Sequence, residues 1–170
     1  GYQAGSGVTT GGFNVFVGQI AGKATTEGIG NVAVGRNSLV TNTTGSRNVA
    51  LGQNAVEYPD TENDNLGIGY NALAGTIAGG EYNVAVGNYT LDALTSADSC
   101  TAVGYGAGSG ITTGDRNCCF GESAGGSITT GGENIMIGQN SGNAHTALTT
   151  GDTNIFIGEK INAGASGRLR

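Results

Sequence analysis

The chain contains one histidine, His145, so any histidine-based acid–base pair must use it. It lies among small residues, Ala144-His145-Thr146, and reads as an exposed loop residue rather than a catalytic base. Asp60, Glu62 and Asp64 crowd into one six-residue stretch after Tyr58 and carry the oxygen ligands that a hard divalent cation takes. Their spacing is not that of an EF-hand loop, and a solvated corner is the expectation. Cys100, Cys118 and Cys119 lack a C-x-x-C pair, so small buried thiols are expected in place of a zinc or redox site. The glycine-rich turns are followed by neither Lys-Ser nor Lys-Thr and open no helical pattern, which removes a phosphate-binding loop. No catalytic, cofactor or metal site is therefore assigned.

The elements that would have to position such residues are unusual in composition. Of 170 residues, 34 are Gly, 20 Thr, 17 Asn and 10 Ser, close to half the chain. So little bulky apolar material cannot build a thick core. The net charge of −6 comes from 13 acids and 7 bases with no basic run, so the footprint of a nucleic-acid binder is missing. The sequence contains no apolar run long enough for a membrane-spanning helix. Its first residue is Gly1, which reads as a mature or excised piece of something longer.

Internal repetition explains the composition. Asn, three mostly apolar residues and Gly recur at residues 14–18, 31–35, 48–52, 65–69, 83–87, 117–121, 134–138 and 154–158, with Cys100 replacing Asn in 100–104. Glycine recurs at Gly1, Gly18, Gly35, Gly52, Gly69, Gly87, Gly104, Gly121, Gly138 and Gly158, about every 17 residues. This period is too short for helix pairs and suits one coil of an all-β, parallel β-solenoid, nine to ten coils over residues 1–158. Residues 159–170 read as an incomplete further coil or a tail. At roughly 4.8 Å per coil the rod is about 45 Å long.

Within each cassette, alternation predicts that the first and third apolar residues, such as Val15 and Val17, face the coil interior. The middle column then faces outward, yet it is apolar throughout: Phe16, Ala33, Ala50, Gly67, Ala85, Ala102, Cys119, Met136 and Phe156. A thin solenoid cannot bury a second apolar face, so this column is predicted to be the self-association surface. Stacking also brings Cys100 within reach of Cys118.

Four residues past the repeat glycine stand Gly5, Gly22, Gly108, Gly125 and Gly142, or else Leu39, Val56, Leu73 and Leu91. Where the site is Gly, an apolar residue follows later, as at Val8, Ile111, Ile128 and Leu148; after Leu39 or Val56 the later site is polar. One filler replaces the other so that coil volume is kept. Gly22 with Thr25 breaks this rule. Gly and Asn are expected at corners needing positive φ, and the recurrent Asn is expected to ladder along the rod. Thr10, Thr26, Thr44, Thr61, Thr95, Thr113, Thr130 and Thr150 form a similar column. The extra residues near His145 are expected to bulge as a loop.

Strings such as Asn31-Val32-Ala33-Val34-Gly35, Asn48-Val49-Ala50-Leu51-Gly52 and Asn83-Val84-Ala85-Val86-Gly87, joined by Thr-Thr-Gly, resemble glycine-rich repeats of phage tail-fibre proteins. They are similar also to the head repeats of trimeric autotransporter adhesins, which step by about 14 residues. The resemblance covers nearly the whole chain and implies a homotrimeric, non-enzymatic fibre, on a virion or at a cell surface, that reaches and attaches. Exposed polar corners are the candidate contacts, with cell-surface glycan as a candidate partner: Gln53, Asn54, Tyr70, Asn71, Tyr89, Tyr105, Gln139 and Asn140. Two other readings stand beside it. One is a flat solenoid binding ice or polysaccharide through its Thr column; the other is a β-helical spike that degrades polysaccharide through carboxylates united between chains.

Overall fold

The computed structural model describes residues 1–143 and 149–160. Among them there is no helix. Nine three-residue strands form one parallel sheet in chain order: β1 (Val15–Val17), β2 (Val32–Val34), β3 (Val49–Leu51), β4 (Leu66–Ile68), β5 (Val84–Val86), β6 (Thr101–Val103), β7 (Cys118–Phe120), β8 (Ile135–Ile137) and β9 (Ile155–Ile157). The register is unbroken, Val15 on Val32 and so on, even across the longer steps from Leu66 to Val84 and from Ile135 to Ile155. The chain is a β-solenoid with one coil per repeat. Extra residues in the long coils leave the sheet untouched. Residues 144–148, including His145, and residues 161–170 lie outside the described residues, so the expected loop and further coil do too.

The orientation of the strands reverses the sequence expectation. Ala33, Ala50, Ala85, Ala102, Cys119 and Met136 are fully buried inside the coil, with the Phe16 and Phe156 rings packed against the same core at its two ends. The flanking columns point out, and Val15, Val17, Val34, Phe120, Ile137, Ile155 and Ile157 are exposed. The proposed self-association column is therefore core. Coil thickness is the physical reason. At Gly67 an added Cβ would lie 2.6 Å from Val56 Cγ2 and 3.1 Å from the Ala72 carbonyl oxygen, so the inward side of the strand meets the opposite wall almost at once. Small residues fill most of this column, and the larger Phe16, Cys119 and Met136 enter it where the facing turn carries Gly22 or Gly125, while the β-branched residues face out.

The remaining interior comes from two turn columns. Leu39, Val56, Leu73 and Leu91 are fully buried at left-handed φ values of 44–53°. That backbone disfavours bulky residues by roughly 1–2 kcal/mol, and burying the side chain returns roughly 1.5–3 kcal/mol. Burial wins, which is why an apolar residue sits where glycine was expected. Three or four residues further along the same turns, Ile77, Leu94, Ile111 and Ile128 are buried as well, so the turns of Leu73 and Leu91 carry both fillers. The exchange of fillers is visible at Gly125, where a Cβ would lie 3.3 Å from Ile128 Cδ1 and 3.5 Å from Met136 Cγ. The exception at Gly22 with Thr25 resolves in the same way, because the Phe16 ring fills the space that a Gly22 side chain would need.

Corner asparagines behave as expected: Asn37, Asn54, Asn71 and Asn140 have φ of 53–60°. The cassette asparagines do something else. Asn31 N–H donates to Asn14 Oδ1 at 2.8 Å, and Asn48 N–H donates to Asn31 Oδ1 at 2.9 Å. Asn31 Nδ2 donates to the Gly45 carbonyl at 2.8 Å. The ladder therefore runs mainly from side-chain amide to backbone, satisfying buried groups that would each cost about 1–3 kcal/mol unpaired. Cys100 keeps part of it, its N–H donating to Asn83 Oδ1 at 2.9 Å and its thiol to the Gly114 carbonyl at 3.2 Å. It has no oxygen to offer Asn117.

Candidate contact surfaces

The threonine column divides in two. Thr9, Thr26, Thr43, Thr95, Thr112 and Thr129 donate their hydroxyls to a carbonyl one coil further on, as Thr26 Oγ1 does to Thr43 at 3.1 Å. The N–H groups of Thr26, Glu27 and Gly28 converge on that same oxygen at 2.8, 3.2 and 3.4 Å. Beside it runs an exposed column with Thr10, Thr44, Thr61, Thr113, Thr130 and Thr150, interrupted by Glu27, Gly79 and Ser96. A continuous Thr face is absent among the described residues.

The acidic stretch disperses. The Asp60 carboxylate accepts from Thr43 Oγ1 at 2.5 Å. Asp64 holds Arg47 through two bonds of 2.6 and 2.7 Å, and this pairing keeps its carboxyl below the usual range. Glu62 turns inward and is buried. Its Oε2 accepts from Asp60 N–H at 2.8 Å and Thr61 N–H at 3.1 Å, and Oε1 accepts from Gly79 N–H at 2.9 Å. The carboxylate thus takes backbone donors at the corner facing the 18-residue coil, where the carbonyl stacking is displaced. No group of three metal-ligating side chains gathers among the described residues.

A recess of about 340 Å³ lies against Thr113, Asp115, Arg116, Glu133 and Asp152, opened by the missing side chain of Gly132. Its carboxylates are engaged. Asp115 Oδ1 accepts from Asp98 N–H at 2.9 Å, Asp152 Oδ1 accepts from Gly132 N–H at 2.7 Å, and Glu133 pairs with Arg116 at 2.8 Å. The three cysteines are free thiols. Cys119 is buried and Cys118 half-buried, the reverse of the expected arrangement. Burial pushes Cys100 up to about 11 and raises Cys118 and Cys119 as well, so all are poor nucleophiles at neutral pH.

Two surfaces remain. The first is the outer face of the sheet, two mostly apolar columns nine strands long, half-buried along β3 to β6 and exposed toward the two ends, from 38% at Val34 to 64% at Ile155. The sequence held these residues but alternation from the wrong starting point placed them inside. The second follows the corner after the repeat glycine. Gln53, Tyr70, Tyr89, Tyr105 and Gln139 are exposed there, while Asn54, Asn71 and Asn140 are half-buried. Asn54 Nδ2 donates to Asn71 Oδ1 at 3.0 Å, and Gln139 Nε2 to Glu122 Oε2 at 3.0 Å. Tyr70 packs edge-to-face on Tyr89 with centroids 5.3 Å apart, and Tyr89 on Tyr105 at 5.7 Å. Such pairs contribute about 0.5–1.5 kcal/mol each beyond area. Desolvation, with the neighbouring tyrosines, holds the Tyr89 hydroxyl above its usual range. Gln139 and Asn140 lie coils away from these tyrosines, so the structure brings together one part of the predicted contact set and leaves the other apart.

Compared with family models, curated proteins and solved structures, the chain matches none.

Proposed function

We propose that this chain is a non-enzymatic fibre segment, three copies of which associate through the outer face of the sheet into a rigid rod that holds an attachment surface away from its base. The observation that carries this reading is the outer face itself. A parallel sheet normally has both faces covered, and here the second cover is absent from one chain. Val15, Val17, Val34, Phe120, Ile137, Ile155 and Ile157 are exposed on one side of the sheet, and half-buried apolar residues of β3 to β6 join them into an apolar face that one chain leaves uncovered. Threefold association and the setting in a viral tail fibre or extracellular appendage follow the likeness of the cassettes. The carboxylates and thiols tied into the coil support a structural role over a chemical one.

Light scattering tests the reading. The wild-type chain is expected at three times its 16.8 kDa mass. Val34→Asp together with Val103→Asp places like charges across the interface and should yield folded monomers by circular dichroism. A monomeric wild type overturns the proposal.

A further inference from the structure

We propose that Tyr70, Tyr89 and Tyr105 form a docking strip for an extended, uncharged β-1,4-linked polysaccharide lying parallel to the rod. Its place in attachment rests on the fibre reading above, while its chemistry rests on the rings. Tyr70 and Tyr105 each directly follow a repeat glycine and so share one column, two coils or about 10 Å apart. Tyr89 belongs to the next column and stands between them, turned by 75° to one ring and 69° to the other. All three are exposed, at 38%, 37% and 58%. A β-1,4-linked chain is straight and turns each pyranose over relative to the last. The same apolar C–H face therefore recurs once per disaccharide, close to two coil steps. Tyr70 and Tyr105 match alternate sugars, and Tyr89 meets the one between. A chain with α-1,4 links curves away from a straight strip.

The surroundings fit an uncharged chain. Between Arg36 and Glu122 the column reads Gln53, Tyr70, Asn88 and Tyr105, all exposed and uncharged. The Asn54–Asn71 amide pair runs alongside. The fold does not require Tyr89. Its position is left-handed, with φ 58°, and is filled in other coils by Gln3, Ile20, Asn37, Asn54, Asn71, Gly106, Ser123 and Asn140, so no aromatic ring is needed there. The order Asn88-Tyr89, in place of residue-then-Asn, puts the Asn88 oxygen on Tyr70 N–H at 2.8 Å and the ring between its neighbours.

The chain lacks Trp, so tyrosine emission reports on the strip. The intact chain is titrated with cellohexaose and with maltohexaose, and its mass is read by light scattering on the same sample. Saturable binding of cellohexaose is expected, with at least tenfold weaker binding of maltohexaose. Tyr70→Ser and Tyr105→Ser should each weaken cellohexaose at least tenfold, read by calorimetry. Tyr89→Asn, which suits the left-handed backbone and keeps the fold, should do the same. Equal affinity for both sugars, no binding by the folded chain, or unchanged binding by Tyr89→Asn overturns the strip. A trimer that ignores cellohexaose sinks the strip alone, and a monomer that binds it sinks the fibre reading alone.

Discussion

The ring of Phe16 lies in the space that a side chain on Gly22, on the turn that follows β1, would occupy. Thr25, buried in the same coil with its hydroxyl unpaired, stands where other coils carry Ile111 or Ile128. Phe16→Ala should cost about 2 kcal/mol, below the 3–5 typical of full burial because the ring is only half-buried. Adding Thr25→Ile should restore about 1 kcal/mol or more, a coupling visible in a double-mutant cycle by urea unfolding. Strict additivity would show that the two sites fill different spaces.

The two faces of a strand should respond in opposite ways. Ala102 is fully buried, and its Cβ lies 3.7 Å from where a Cβ on Gly108 would stand. Ala102→Leu should cost about 2–3 kcal/mol through overpacking. Val103→Thr, one residue on and facing out, should change unfolding of the isolated chain by less than about 0.5 kcal/mol.

Cys100 interrupts the amide ladder below Asn117. Cys100→Asn should supply the missing acceptor and raise stability by about 1 kcal/mol. A higher midpoint in thermal unfolding checks this, and a lower one would mean that the thiol packs better than the amide bonds.

Glu62 gathers three backbone N–H groups at the corner beside the long coil. Glu62→Ala should cost about 3 kcal/mol, and Glu62→Gln less, because an amide oxygen still accepts. Hydrogen exchange at Asp60, Thr61 and Gly79 should accelerate in the alanine variant.

Desolvation raises the Asp92 carboxyl above its usual value. With the folded value above the unfolded one near 3.9, the folded chain holds the proton more tightly. The associated stability is present below the unfolded value and lost as pH rises through the folded value. Asp92→Asn should therefore raise the unfolding midpoint at pH 7 and leave it unchanged near pH 3. Asp64, lowered by Arg47, carries the opposite sign: Asp64→Asn should lower the midpoint at pH 7.

The spacing of Gly18, Gly35, Gly52 and their successors determined the coil, its period and the parallel register, because each coil repeats the same backbone and stacks only on its neighbours. At Gly104 an added Cβ would lie 2.6 Å from the Gly121 carbonyl oxygen, so this periodicity is a direct imprint of coil-to-coil contact. The exchange between Gly125 and Ile128 was legible in the sequence too, whereas the turns of Leu73 with Ile77 and of Leu91 with Leu94 bury both fillers. Which face of Val84-Ala85-Val86 turns inward was not. Period-two alternation names two faces without ranking them, and both were apolar here. Only the closed coil decided, by bringing the opposite wall so near this column that Ala or Gly fills most of it, with Cys119 and Met136 entering beside Gly125. The tyrosines were likewise readable as exposed corner residues, but the ladder of Tyr70, Tyr89 and Tyr105 depends on two adjacent columns meeting at one corner, a geometry that appears only when the coils are stacked.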